Sequence, residues 1–442
     1  MYLDFFEFFS YNKYKEINYL KRMLSAWNCI IENDEIILKM LEESSSIYDQ
    51  ALYFMRQKYF ETKNQGKIKT YSYPDLWNLT KVSNAVIESK IDINVKQYIV
   101  KQVCSNWKAY IKACHEYKIH PEKFEAAPKI PNYLSHKNNN RKKKHSYNLI
   151  QIDKTRFKSK DLESNTFKIP CSDVLIKIPK QINLNSVRQV TIQKFYGKIK
   201  VNIIFNDNKI TSNKLDQNSA MGIDIGVNNF CAVTINDKPF SYVIDGRPLK
   251  SINQFYNKTK AEKQSKLEKC NKKKTSNATE KLDEKRNLKI RHYMHNVSKM
   301  IINLALRHSV STIYIGHNIG WKQDSNMGKK NNQNFVSIPF NMLIDQIKNK
   351  SEKQGIKVEI VEESYTSKVD HLALETLEHH DKYLGSRIKR GLFKSSVGIT
   401  LNADINGAIG ILRKGNAIGM EQLADLSNRG DVVSPTRCHV HY

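Results

Sequence analysis

The segment Met221–Gly246, MGIDIGVNNFCAVTINDKPFSYVIDG, sets the interpretation of the second half of this chain. Its short runs of β-branched and aromatic residues, separated by polar turns, predict three strands in quick succession. From Met221 onward the pattern continues as a long helix, a strand, a helix, a strand, a loop and a final helix. Such alternation of strands and helices is typical of an α/β domain.

Asp224 lies inside the first of these strands, in the pentapeptide GIDIG, and is followed by Gly226. A carboxylate in such a buried strand is costly unless it is paired or binds a metal. GIDIG also opens actin-like and sugar-kinase ATPases, but these enzymes need a second glycine-rich phosphate loop. No DxGGT-like segment occurs among the 17 glycines, so the ATPase remains a less favoured alternative.

A second acidic residue, Asp404, lies in LNADINGAIGIL near the end of the chain. This segment predicts a helix with an apolar face and with Asp404 in its first turn. Taken alone, Asp404 is an acid favoured by the helix dipole. The alternative is a two-metal nuclease site, because Mg²⁺ prefers carboxylate oxygens and such a site gathers acids from distant parts of the chain. Asp224 and Asp404 fit that requirement.

A third carboxylate is expected from a neighbouring strand. The strand STIYIGHN ends at Gly316, where a nuclease would be expected to carry an acid. The later strand in IKVEIVEESYTSK ends in Glu362 and Glu363, and ligands gather at the carboxyl ends of parallel strands. Adjacent residues point to opposite faces, so only one should serve. We prefer Glu363 because it lies nearer the strand end, and Glu362 is the alternative. Gly316, which has no side chain, would leave room for a glutamate from the neighbouring strand.

The charge balance predicts a polyanionic partner. The 442 residues suffice for about three domains of roughly 150 residues each. Lys and Arg number 72 against 44 acids, which gives a net charge of +28. The basic residues concentrate in a linker at 137–145 and in a predicted helical hairpin at 258–299. The alternative is that the chain is basic in composition without binding a polyanionic partner.

No apolar run approaches the ~18 residues of a membrane span, and the N-terminus lacks the features of a signal peptide. An intracellular protein is therefore expected. In the N-terminal half, residues 36–125 predict helices, and residues 146–210 predict strands with a hairpin turning near Gly197. We infer no active site in this half. A β module flanking a helical insert suits a wedge that grips a nucleic-acid duplex.

None of the seven cysteines forms a CxxC pair, which argues against a zinc ribbon and a disulfide framework. Cys438, His439 and His441 are interpreted as a stray tail cluster rather than a metal site. The loop at 364–400 is expected to be held by packing, through Tyr365, Leu372, Tyr383 and Phe393.

Motifs in one order along the chain resemble the TnpB family of transposon-encoded, RNA-guided RuvC nucleases related to type V CRISPR effectors. In the C-terminal half they are GIDIGVNNFCAV, IGHNIGWKQ, NNQNFVSIPFNMLIDQI, EESYTSKVDHLALE, GSRIKRGLFKS and NADINGAIGIL. In the N-terminal half they are YDQALYFMRQKYF, YPDLW and NWKAYIKACHEYKIHPEKFEAAPKIPNYL. The resemblance covers roughly residues 38–435 and lacks the zinc-binding cysteines of many relatives; Val369 lies where one is expected.

The resemblance implies an α+β multidomain fold: a helical recognition domain inserted in a β-barrel-like wedge domain, followed by an RNase H-like (RuvC) α/β nuclease domain. The implied boundaries are an atypical segment at 1–37, the helical domain at 38–135, the wedge at 136–215 and the nuclease at 216–442. The nuclease contains a basic helical hairpin at 250–309 and a zinc-less loop at 364–400. The first 37 residues do not resemble the usual family start, so the resemblance does not decide whether the first strand of the wedge is altered or missing.

The resemblance also implies an activity, cleavage of target DNA next to a short adjacent motif, directed by a guide RNA from the transposon end. Two Mg²⁺ ions and no zinc are expected, with Asp224, Glu363 and Asp404 as ligands. A prokaryotic protein would be cytoplasmic and nucleoid-associated. The alternative is a catalytically inactive RNA-guided repressor. Candidate nucleic-acid contacts are Lys142, Lys143, Lys144, Lys272, Lys273, Lys274, Trp321, Lys322, Arg387 and Arg390.

Overall fold

The computed structural model describes residues 24–124, 126–134, 146–156, 165–207, 211, 213–271, 275–318, 337–389 and 391–440. The chain divides into two compact units, residues 1–208 and 209–442, which we call the first and the second unit. None of the described helices combines the length and the apolar character that a membrane span requires.

A four-stranded antiparallel sheet forms the β part of the first unit. The strands of this unit are β1 (Leu24–Ile31), β2 (Ile150–Asp153), β3 (Thr166–Lys168), β4 (Leu175–Lys177), β5 (Val187–Phe195) and β6 (Lys198–Asn206). The order in the sheet is β1, β6, β5, β2, while β3 and β4 pair separately. Since β1 lies within residues 1–37, this sheet does have a strand before the helices.

The β5–β6 hairpin turns at Gly197, as the sequence predicts. Tyr196 and Gly197 have φ angles of 45° and 80°. Two successive positive φ angles are typical of the type I′ turn, whose twist matches that of the strands it joins.

The helices of the first unit lie in the chain between β1 and β2. They are α1 (Glu35–Asn64), α2 (Tyr73–Thr80), α3 (Asn84–Ile87) and α4 (Ile93–Ile119). The α1 helix begins after Asp34, whose side chain accepts a hydrogen bond from the Ile37 amide. One face of α1 is buried in the same hydrophobic core as Trp107 of α4, through residues that recur at helical spacing: Tyr48, Leu52, Met55 and Tyr59.

A six-stranded mixed sheet is the centre of the second unit. Its strands are β7 (Asp216–Ile225), β8 (Asn229–Ile235), β9 (Ser241–Asp245), β10 (Val310–Gly316), β11 (Lys357–Val361) and β15 (Thr436–Cys438), in the order β11, β10, β7, β8, β9, β15. The antiparallel pairs are β7–β8 and β8–β9, and the other neighbours are parallel. The carboxyl ends of β7, β10 and β11 therefore lie at one edge of the sheet.

Helices cover both faces of this sheet. They are α5 (Arg247–Asn271), α6 (Asn277–Arg307), α7 (Phe340–Lys353), α8 (Ala403–Lys414), α9 (Met420–Asp425) and α10 (Gly430–Val433). Met221, Ile223 and Ile225 of β7 share one core with α6 and α7. On the opposite face α8 lies so close to β7 that a Cβ at Gly222 would be 2.5 Å from the Ala408 carbonyl oxygen. Successive side chains of β7 therefore alternate between two helical layers.

The loop between β11 and α8 contains a small antiparallel sheet of β12 (Ser386–Lys389), β13 (Leu392–Lys394) and β14 (Thr400–Asn402). Leu372 and Phe393 are buried, as expected from the sequence. Tyr383 is half-buried. The expectation was wrong for Tyr365, which is 36% exposed.

Buried polar groups hold this loop together, a feature that the sequence analysis did not anticipate. The fully buried Asp370 carboxylate accepts a hydrogen bond from the Ser395 hydroxyl at 2.7 Å. His371, also fully buried, donates through Nε2 to the Thr366 carbonyl and accepts at Nδ1 from Arg413 of α8, at 2.8 and 2.9 Å. Burial lowers the pKa of His371 to about 4, so this imidazole is neutral at pH 7. The loop is thereby attached to α8.

Candidate nuclease site

Asp224 lies on the face of β7 that packs against α8. It is between Ile223 and Ile225, which belong to the opposite core, so strand alternation directs the carboxylate toward α8. Gly407 of α8 has no space for a Cβ, because Asp224 Oδ2 occupies the position that such an atom would take. The carboxylate therefore rests directly on the helix that carries Asp404.

Asp404 lies in the first turn of α8, where the dipole favours an acid. Asn402 caps the helix by accepting hydrogen bonds from the amides of Asp404 and Ile405. The side chain of Asn229, at the start of β8, donates to Asp404 Oδ2 at 2.6 Å. The guanidinium of Arg387, on β12, lies 3.5 Å from Asp404 Oδ1. Each oxygen of this carboxylate therefore has a separate partner.

Glu363 follows β11 and lies on the same face of the sheet. The β10–β11 register places Glu359 beside Tyr314 and Val361 beside Gly316. Counting two residues further assigns Glu363 to the face of Gly316, and Glu362 to the other. Glu362 is exposed, whereas Glu363 Oε1 is buried without a hydrogen-bond partner among the described residues. Burial raises the pKa of Glu363 to about 7.

The strand end at Gly316 is filled by this glutamate. A Cβ added at Gly316 would lie 2.7 Å from both Glu363 Cγ and Glu363 Oε1, and 2.6 Å from Ile411 Cδ1 of α8. These distances are far below ordinary van der Waals contact, so any larger residue would displace the Glu363 side chain.

The charges of the other two carboxylates act on Asp224. Burial first, then the negative charges of Glu363 and Asp404, raise the pKa of Asp224 well above its ordinary value, while Arg387 opposes this shift. Across the part of the chain that the structure describes, no three His, Cys, Asp or Glu side chains are clustered tightly enough to enclose one ion. The three carboxylates therefore lie near one another but do not form a complete set of ligands around one ion.

Sequence reasoning missed two residues of this site, Asn229 and Gly407. Both had a readable signal. The turn GVNNF is short enough that β8 must begin beside the end of β7, which brings Asn229 near Asp224. Gly407 lies three residues after Asp404, on the side of α8 that faces the sheet.

Of the candidate nucleic-acid contacts, Arg387 is the one that falls within the described residues, and it lies at the carboxylates. The others lie outside the described residues, as does His441: Lys142, Lys143, Lys144, Lys272, Lys273, Lys274, Trp321, Lys322 and Arg390.

Comparisons with known proteins identify related sequences. The OrfB_IS605 family model, described as a probable transposase, matches residues 198–322, and the model of the Cas12f1-like TNB domain matches residues 340–411. The TnpB-like protein ORF457 of Acidianus two-tailed virus is 28% identical over 212 residues, which are 46% of this chain and 43% of the viral protein. The chain thus aligns with less than half the length of that relative.

Solved structures show a related fold. Cas12f1 in a complex with sgRNA and target DNA aligns over 85% of this chain and 82% of its own, with a TM-score of 0.53 and 14% identity. The mini-RNA-guided endonuclease Cas_phi3 aligns over 89% of this chain and 92% of its own, with a TM-score of 0.46 and 12% identity. The Cas12f1 alignment shows that the chain has a Cas12f-like multidomain α+β fold.

The two family models and the viral relative point to the TnpB family. The family predicted from the sequence motifs is confirmed.

Proposed function

We propose that this protein is an RNA-guided DNA endonuclease whose second unit is an RNase H-like nuclease core that cleaves phosphodiester bonds with two Mg²⁺ ions. The observation that carries the proposal is the meeting of three acids from distant parts of the sequence on one face of the sheet: Asp224, Glu363 and Asp404. Structural carboxylates normally have partners that compensate their burial. Glu363 Oε1 is buried and has no hydrogen-bond partner among the described residues.

The chemistry of the site fits Mg²⁺. Carboxylate oxygens are its preferred protein ligands. The Asp224 carboxylate accepts no hydrogen bond from the described residues, and Glu363 Oε1 has none either. Without a cation, burial favours the protonated forms of both carboxylates and raises both pKa values, and at Asp224 the charges of Glu363 and Asp404 add to this effect. A divalent cation would compensate these charges and draw the carboxylates together.

Bound at this position, Mg²⁺ would supply an activated water and stabilise the leaving oxygen of a phosphodiester. The protein's own residues would bind and orient the reactants. The Asn229 amide holds one oxygen of Asp404 in a fixed direction. The Arg387 side chain, 53% exposed, is placed to contact a phosphate oxygen of the DNA strand.

Guidance by RNA is proposed from the likeness to Cas12f1, whose solved complex contains sgRNA and target DNA, and from the net charge of +28. In such systems base pairing reads the target, while the protein reads duplex shape and a short adjacent motif. The guide would come from the transposon end, and the target would be double-stranded DNA.

The first experiment compares cleavage of guided target DNA by Asp224→Asn, Asp404→Asn, Glu363→Gln and Glu362→Gln, with RNA binding as the control for folding. We expect the first three variants to lose cleavage and Glu362→Gln to retain it, since Glu362 is exposed. Retained cleavage by Glu363→Gln would remove Glu363 from the ligand set. Absence of guided cleavage by the unmodified protein with Mg²⁺ would instead indicate an RNA-guided repressor.

The second experiment sequences the RNA that co-purifies with the protein and repeats target binding after RNase treatment. We expect an RNA from the protein's own locus, and loss of sequence-specific binding once it is digested. Unchanged specific binding after digestion would exclude RNA guidance.

A further inference from the structure

A cleft between α5 and α6 shares no lining residue with the candidate nuclease site. It encloses about 280 Å³, just below the ~300–1,000 Å³ typical of small-molecule pockets. Its apolar floor includes Ile252. Its walls and rim are formed by Phe255, Tyr256, Lys285, Arg286 and Lys289. We call it the hairpin cleft.

One wall of the hairpin cleft is held in a fixed geometry. The Arg286 guanidinium lies over the Tyr256 ring, 5.1 Å from its centroid. It also donates to Asn253 Oδ1 from two nitrogens, at 2.9 and 2.8 Å, while the Tyr256 hydroxyl donates to Asp283 at 2.8 Å. A cleft whose walls are already ordered loses little conformational entropy when a ligand binds.

Three further side chains that line the hairpin cleft are exposed to solvent. Phe255 is 64% exposed, and Lys285 and Lys289 are exposed one helical turn apart on α6. A single exposed phenylalanine needs no explanation. Here, however, the ring borders a cleft with two ammonium groups on its rim, and the two face the same side of α6 because residues four apart are neighbours on a helix.

We propose that the hairpin cleft binds one unpaired nucleotide of a nucleic-acid strand, with its base stacked on Phe255 and its flanking phosphates contacting Lys285 and Lys289. Aromatic rings that stack on bases, together with cations that follow the backbone, characterise single-strand binding sites. The base must be unpaired, because a duplex encloses the faces of its bases. This inference rests on the proposed function only in taking nucleic acid as the partner.

The test measures binding of the full-length protein, freed of RNA and kept in EDTA, to 12-nucleotide oligothymidylate, oligouridylate and an abasic 12-mer with the same number of phosphates. Neither guide nor Mg²⁺ is present, so failed guided cleavage would not affect the result. Phe255→Ala should weaken binding of at least one base-containing strand about tenfold and leave the abasic strand unchanged. Phe255→Tyr should retain affinity because it retains the ring.

Charge is tested separately. Lys285→Gln/Lys289→Gln should weaken all strands and lower the slope of log affinity against log salt by about 1.4, since each phosphate contact on a single strand contributes about 0.7. The matched controls are Phe240→Ala, another exposed phenylalanine of the second unit, and Lys348→Gln/Lys382→Gln, which removes the same charge outside the cleft.

The DNA and RNA strands distinguish which nucleic acid the cleft takes. The proposal is overturned if Phe255→Ala leaves both base-containing strands unchanged, or if it weakens the abasic strand equally. It is also overturned if the Lys285/Lys289 double variant changes the salt dependence no more than the Lys348/Lys382 control.

Discussion

Glu363 occupies the space that a side chain at Gly316 would need: a Cβ on that glycine would lie 2.7 Å from Glu363 Oε1. The two residues are 47 positions apart in the chain, yet β10 and β11 pair in parallel and bring their ends together. An acid is therefore present at this strand end, but the neighbouring strand supplies it. This arrangement requires a glycine at the end of β10, because a side chain at that position would occupy the space of the Glu363 carboxylate.

We predict that Gly316→Ala abolishes guided cleavage, because its methyl group displaces the Glu363 carboxylate and contacts Ile411. Overpacking of this kind costs about 1–3 kcal/mol of stability. Cleavage rate and denaturant unfolding together measure both effects. Gly430→Ala is the matched control, since a Cβ there meets no atom within 4 Å. Full activity of Gly316→Ala would show that Glu363 is not needed where the structure places it.

Asn229 should control the affinity of the site for its metal. Asn229→Ala removes the hydrogen bond that orients Asp404, and the loss of such partners typically reduces metal affinity or activity about 10- to 100-fold. We expect a Mg²⁺ titration of cleavage to shift to higher concentration. Asn228→Ala is the control, because its side chain accepts from Lys250 instead. An equal Mg²⁺ requirement in the two variants would contradict this role.

His371 should make stability depend on acidity. Its pKa is about 4 when folded, against an ordinary value of 6.5, so between these values the unfolded chain binds a proton that the folded chain does not. Stability is then complete above pH 6.5 and falls by about 3 kcal/mol as the pH drops through the window to 4. His371→Gln should show a smaller loss in urea unfolding measured from pH 7 to 4. Parallel stability curves for the two proteins would refute this.

We expect no stoichiometric zinc. The loop at 364–400 has no set of four Cys and His ligands in its sequence, and buried hydrogen bonds of Asp370 and His371 attach its parts to one another and to α8. Elemental analysis should find far less than one zinc per chain, and a zinc chelator should leave the melting temperature unchanged. About one zinc per chain would overturn this expectation.

Much of the fold was readable from local patterns. The strands around Asp224, the strand ending at Gly316 and the helix with Asp404 in its first turn lie where the sequence pattern predicts them. These features are local, since hydrophobic period and helix-start residues act within a few positions of the chain. The order of motifs along the chain was sufficient to indicate the TnpB family.

Contacts between distant segments could not be read in the same way. Tyr365 was expected to be packed and is exposed, while the network of Asp370, His371 and Arg413 was not anticipated. Its members lie on separate loop and helix segments, and no periodicity relates them. For Asn229 the short turn after β7 could have indicated its place beside Asp224, but its hydrogen bond to Asp404, 175 residues away, was visible only in the structure.

The amino-acid sequence is thus sufficient to place Asp224 and Asp404 at the ends of regular elements and to limit the third acid to Glu362 or Glu363. The position of Glu363 nearer the strand end favoured it in the sequence, and strand pairing supplied the physical difference between the two. The β10–β11 register assigns Glu363 to the face of α8, where burial raises its pKa, and leaves Glu362 in solvent. Local patterns are set by neighbours in the chain, whereas burial and electrostatic coupling depend on which strands lie side by side, and only the folded protein establishes that.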